Sequence, residues 1–216
     1  FESTNSASLS WGEAYVLRAF MAAWELTGDM YWLQRVAGHA EVILGNMQDV
    51  PDTLDYDQAV YADGFDGWGT DAYSEQTYDE FMVHDGHVSA PIAAYIAAVY
   101  SQPEQLWERF GEQATRHFDL LAEHVAGKWI ASWEASRGTG ITLREFGGFR
   151  HLPHNQYQAF GSFLLFMNDV VNTPRWGELH DLPAGLRPDT YLPYAAEMAQ
   201  YMHDDLRLDQ ERDAYQ

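Results

Sequence analysis

Two histidines and an aspartate stand together in EFMVHDGHVSAPIAAYIAAVY, residues 80–100, just ahead of an apolar helical pattern. His84 and His87 are three residues apart, a spacing at which two imidazoles on one helix face can ligate a metal. Gly86 lies between them and the stretch opens a helix. The same letters therefore also fit Asp85 as a helix cap with the histidines packed on aromatic rings, or a histidine that moves protons. No HExxH zinc motif, no EF-hand loop and no cysteine occurs. The sequence requires no cofactor; a divalent metal, calcium or zinc, stays open with His84 and His87 as its ligands.

A second set lies in HLPHNQYQAF, where His154, Asn155, Gln156 and Tyr157 follow Pro153, with Arg150 just upstream. Asn155 is a good N-cap. The same residue types also match β-elimination on a uronic acid. That reaction needs a partner to neutralise the C6 carboxylate, a base for the C5 proton and an acid for the leaving oxygen. Asn155 with Arg150, His154 or His87, and Tyr157 fit those roles in turn. Hydrolysis would instead need two carboxylates, about 5 Å apart for retention or about 6.5–9.5 Å for inversion. Glu13, Asp66 and Asp85 are the acids expected near the same place, and Glu13 also suits the dipole of a first helical turn.

The loop DTLDYDQAVYADGFDGWGTDAYSEQTYDEF interleaves acids with rings. Tyr61, Trp68 and Tyr73 offer apolar faces for the C–H side of a sugar, and Asp66 accepts hydroxyl hydrogen bonds. Trp11 and Gln156 join them as expected substrate contacts. A solvated acidic loop is the plain alternative.

These residues need a frame, and the apolar spacing reads helix nearly throughout. WGEAYVLRAFMAAWELTGD and MYWLQRVAGHAEVILGNM carry apolar residues at three- and four-residue steps and form one αα-hairpin. The pattern returns from Val88 to Val125, and again in QYQAFGSFLLFMNDVVNTPRW with LPYAAEMAQYMHDDL as its second helix. The turns TGDMYW, SQPEQLW and NTPRW align on Trp32, Trp107 and Trp176, which predicts a degenerate repeat. SWGE, HDGH and PHNQ then fall at the start of the first helix of each hairpin and should meet at one end. Long segments over 49–83 and 125–153 should empty onto that end as functional loops. Strand signal is confined to them, as in KWIASWEA and GITLREF.

Side-by-side αα-hairpins with ELTGD-type turns, Trp- and Tyr-rich loops and His or Asn at inner-helix starts resemble the α/α-toroid carbohydrate-active proteins. That class holds polysaccharide lyases, glycoside hydrolases and uronyl epimerases. The resemblance covers residues 8–206 and implies an all-α toroid or partial toroid with a glycan cleft at one end. Toroids commonly have five to seven hairpins and three are visible here. The expectation is one domain over 1–216, a segment of a toroid that a further chain or subunit completes.

Composition narrows the partners. Acidic residues number 33 against 12 basic ones, a net of −21, and Lys128 is the single lysine. Such a surface repels nucleic acid and anionic membranes, and no run approaches the ~20 apolar residues of a membrane span. Acid excess with lysine depletion fits a marine or halophilic setting or an acidic secreted protein. The start FESTNSASLS, without Met, reads as a processed product or a piece of something longer, with an extracellular or periplasmic address. The expected partner is a polysaccharide or oligosaccharide. The favoured reading is a lyase or epimerase, with a glycoside hydrolase or a non-catalytic glycan-binding helical-repeat domain as alternatives. A solenoid scaffold fits less well, since its loops would be short.

Overall fold

The computed structural model describes residues 3–49, 64–72, 79–101, 104–131, 133–134, 141–142, 154–181, 190–205, 208–209 and 214–215. The protein is mostly helical, in keeping with the all-α expectation. α1 (Ser6–Ser8) runs through a π-helical segment (Leu9–Glu13) into α2 (Ala14–Thr27), and α3 (Met30–Gly45) follows. α4 (Met82–Ser101) and α5 (Glu104–Leu120) come next. A second π segment (Leu121–Ala126) then leads into α6 (Gly127–Ala131). α7 (His154–Val171), the short α8 (Pro174–Leu179) and α9 (Leu192–Asp205) complete the helices.

Local chemistry explains the turns. Gly28 ends α2 in the left-handed conformation, φ 67°, and its N–H donates to Trp24 O at 2.7 Å. Asp29 then caps α3 by accepting from Tyr31 N at 2.9 Å. ELTGD is thus one helix stop and one helix start with no spare residue. Thr173 does the same for α8, accepting from Trp176 N at 3.2 Å with Pro174 in the first turn.

The first helices α2, α4 and α7 pack side by side in that order, with the α4–α7 contact the most extensive among the described elements. α3 packs on α2, α5 on α4 and α9 on α7, while α3 and α5 also touch. Glu41 joins those last two, accepting from Gln113 Nε2 at 2.8 Å and from His117 Nε2 at 2.9 Å. The core between the layers includes Leu17, Leu33, Ile43, Ile92, Tyr95, Phe160 and Phe163, all at 0% exposure. Among the described residues strand structure is confined to two-residue antiparallel ladders. β1 (Gln48–Asp49) pairs with β2 (Asp66–Gly67), and β3 (Gly69–Thr70) with β4 (Asp79–Glu80).

KWIASWEA departs from expectation at its first half. Lys128–Ala131 belong to α6, because the π turn keeps the helix going: Gly127 N–H reaches back to Ala122 O. Trp133–Glu134 is strand, paired with Ile141–Thr142. The predicted loop from 125 is therefore helical for its first seven residues.

α4 and α7 meet backbone to backbone at Gly86. A Cβ there would lie 2.5 Å from Ala159 C and Phe160 N, so only glycine fits. Gly86→Ala should cost about 2–3 kcal/mol, the upper part of the roughly 1–3 kcal/mol range for overpacking, because the clash is with main-chain atoms. The melting temperature, read by calorimetry, should fall by roughly 5–10 °C.

Candidate functional site

The sequence HDGH distributes four adjacent residues to four different neighbours. His84 Nδ1 shares a hydrogen with Ser6 Oγ at 2.8 Å, in a fully buried contact with α1. Asp85 Oδ2 accepts from Trp129 Nε1 at 2.8 Å and pairs with Lys128 Nζ at 3.0 Å. Gly86 makes the α7 contact. His87 Nδ1 accepts from Arg18 on α2 at 2.9 Å. The motif sits within the first two turns of α4, and Asp85 does not cap the helix. Instead Gln156 of α7 accepts from Val83 N at 3.4 Å, a cap supplied by the neighbouring helix.

Beneath the histidines lies a buried ion-pair cluster. Lys128 is fully buried, with Glu80 Oε1 at 2.9 Å on one side and Asp85 on the other. Burial alone disfavours the ammonium, but Asp85 and Glu80 outweigh it and hold the lysine above its ordinary pKa. β2 crosses directly over this cluster: a Cβ on Gly67 would overlap Glu80 Oε1 and lie 2.6 Å from Lys128 Nζ. The single lysine of the chain thus ties β4, α4 and α6 together. A second buried pair, Glu13 with His39, holds the π segment to α3, and Arg35 donates to the other nitrogen of that imidazole at 3.2 Å.

Above these pairs the molecule opens. Trp11 is 44% exposed, and its ring lies 5.8 Å from His84 and 5.1 Å from His87. Tyr15 is 51% exposed, with the Arg18 guanidinium 5.8 Å from its ring. Trp11, Tyr15 and Arg18 are spaced i, i+4, i+7 and so form one stripe along the helix. Both histidines are held neutral. Burial, aided by the charge of His87 and opposed by Asp85, pushes His84 down to about 4. Burial first and the Arg18 charge second keep His87 below the ordinary imidazole range. Since Arg18 can only donate, His87 accepts at Nδ1 and carries its proton on Nε2.

The expected site residues separate into two groups. Trp11, His84 and His87 come together between α2 and α4, with Glu13 and Asp85 buried behind them. His154 and Tyr157 turn to α9 instead, where their rings meet Tyr201 at 5.6 and 5.5 Å. Tyr157 is at 0% exposure, Asn155 is exposed in the first turn of α7, and Gln156 is the α4 cap. Trp68, expected as a sugar platform, is 1% exposed and donates its indole N–H to Ile43 O at 3.0 Å; as placed it is a core residue. Asp66 is half-buried in β2, its backbone N–H donating to His124 Nδ1 at 3.0 Å. Tyr61, Tyr73 and Arg150 lie outside the described residues.

Ser6, Tyr15, Arg18 and Lys128 were missed by reasoning from the sequence. The i, i+4, i+7 spacing of Trp11, Tyr15 and Arg18 was a usable signal, and so was the solitary lysine. As for a metal, Ser6 and Arg18 occupy the Nδ1 positions of the two histidines. Among the described residues no group of three or more His, Asp or Glu is arranged to hold an ion.

Two outcomes follow from the electrostatics. His84 should titrate near pH 4 by imidazole NMR. Its folded pKa lies below the unfolded value of 6.5, so the unfolded chain binds more protons in that window. Stability should therefore fall as pH drops from 6.5 to about 4, seen as a falling urea midpoint. Separately, Lys128→Met leaves Glu80 and Asp85 without their cation and should cost about 3–5 kcal/mol in urea unfolding. Comparison of the chain with protein-family models, with curated proteins and with solved structures found no match.

Proposed function

We propose that this chain is part of a polysaccharide-active α/α toroid and carries out β-elimination on a uronic-acid-containing glycan along the edge formed by Trp11, Arg18 and His87. One observation carries the reading: a guanidinium and a neutral imidazole in hydrogen-bond contact beside a half-exposed indole. The indole suits the apolar face of a sugar ring, and an arginine matches a carboxylate in charge and geometry. A neutral imidazole near the C5 proton supplies the base.

In this scheme the sugar stacks on Trp11 and its C6 carboxylate meets Arg18, which makes the C5 proton more acidic. The lone pair of His87 Nδ1 takes that proton. The electrons of the C5–H bond form the C4=C5 double bond, the C4–O4 bond breaks, and O4 leaves with a proton from water at the open edge. Epimerisation shares the first half and ends with C5 reprotonated from the other side. Hydrolysis is less favoured because Glu13 and Asp85 are buried in pairs with His39 and Lys128. The proposed address is extracellular or periplasmic. No helix among the described residues is long and apolar enough to cross a membrane.

The test is incubation with alginate, pectate, glucuronan and ulvan, following the ultraviolet absorbance of the unsaturated uronate. Product should form on at least one polymer. His87→Gln should slow it by roughly 100- to 10,000-fold, the usual contribution of a general base. Quenching of Trp11 fluorescence by a polymer without any product or change of C5 configuration would identify a binding module and sink the elimination.

A further inference from the structure

In a chain with 33 acidic residues, Arg116 pairs with Glu41 and Glu112, and Arg175 with Glu104. Among the described residues Arg18, Arg35 and Arg109 donate instead to His87, His39 and Gln34, and of these Arg18 shares its acceptor with the half-exposed Trp11 ring. Arg18 has no carboxylate partner among the described residues. It donates to the neutral His87 instead, at 2.9 Å, and its guanidinium is exposed. A charged acceptor makes hydrogen bonds roughly twice as strong as a neutral one and can take two at once from a guanidinium. An arriving carboxylate therefore outcompetes an imidazole for Arg18.

The consequence falls on His87. While Arg18 is in place, the Nδ1 lone pair is occupied and Nε2 carries the proton, so the ring has no free basic nitrogen. When Arg18 turns to a carboxylate, Nδ1 is released and the positive charge beside it is neutralised. Among the described residues, the charged group acting on His87 is Arg18 from α2, and His87 itself bears on His84 one turn earlier on α4. His84 stays tied to Ser6 throughout. Swinging Arg18 needs no backbone change, since it is a long surface side chain bound here through one terminal nitrogen.

We propose that Arg18 is a carboxylate receptor that blocks His87 Nδ1 in the empty site and frees it when a uronate binds, so that the base is available only with an anionic sugar in place. This rests on the functional reading above and adds a substrate-triggered device to it. A neutral glycan can stack on Trp11 but leaves Arg18 where it is, which makes Arg18 a specificity determinant as well as a contact.

The test uses the whole chain and uronate tetramers of galacturonate, mannuronate and glucuronate, with carboxyl-reduced tetramers as neutral controls. Binding is read by calorimetry and His87 by its imidazole nitrogen shifts against pH. The His87 midpoint should rise by at least one unit when a uronate tetramer binds and stay fixed with the neutral control. In Arg18→Gln the midpoint should be raised without ligand, and uronate affinity should drop at least tenfold with neutral affinity unchanged. Arg18→Lys, which keeps the charge without the fork, should fall between the two. Uronate that binds and is processed with no movement of His87 overturns this inference and leaves the elimination standing. A wild-type chain that binds no uronate overturns both, and an Arg18→Gln variant that binds it as tightly as wild type overturns the receptor role.

Discussion

The placement of the HDGH residues depends on how near α4 can come to α7. At Gly86 the two backbones are so close that a single methyl group would strike main-chain atoms rather than a side chain that could turn aside. Interiors packed at crystal density give such a contact nowhere to relax. Several other features follow from this approach. It brings Gln156 within reach of Val83 N, so that one inner helix caps the next. It also fixes the rotation of α4, which sends Asp85 inward to Lys128 and Trp129 while His84 and His87 face α1 and α2.

Electrostatics then stiffens what packing positions. Two carboxylates around one ammonium are costly to desolvate, and the arrangement persists only with good geometry and further hydrogen bonds. Here Trp129 supplies one such bond to Asp85, and Gly67 leaves the room that Glu80 and Lys128 occupy. Lysine suits the position because its charge is compact, whereas a guanidinium fork would need space that β2 takes. Two imidazoles serve as links between elements: His39 stands between Arg35 and Glu13, and His87 receives Arg18.

The helical frame was legible in the sequence because its signals are local. Period-3.6 apolar spacing and the Gly28–Asp29 stop and start need no knowledge of distant residues. The site was legible only in part. HDGH announced that something was placed at a helix entrance, but its four partners, Ser6, Lys128, Ala159–Phe160 and Arg18, are brought in by tertiary packing that no spacing rule encodes. Trp68 shows the opposite failure. A Trp in a Gly- and Asp-rich stretch reads as a loop platform, yet an indole N–H that finds a backbone carbonyl can be buried whole, and here Ile43 offers one. Lys128–Ala131 read as strand because Trp and Ile are good strand formers, and a π turn that carries the helix onward overrode that preference.

A net charge of −21 opposes the proposed anionic glycan only over short distances. Screening reduces the reach of surface charges to about 8 Å at physiological ionic strength and about 3 Å at 1 M salt. Beyond that reach the acidic surface contributes little to the field at Trp11, whereas a guanidinium in direct contact with a carboxylate is scarcely screened. What decides the matter locally is whether the protein's own acids have already claimed Arg18, and among the described residues they have not. Glu13 and Asp85, expected from the sequence at this place, are buried against His39 and Lys128 instead. The buried pairs therefore do two things at once: they hold neighbouring elements together, and they direct Glu13 and Asp85 to inward partners while Arg18 stays exposed on His87.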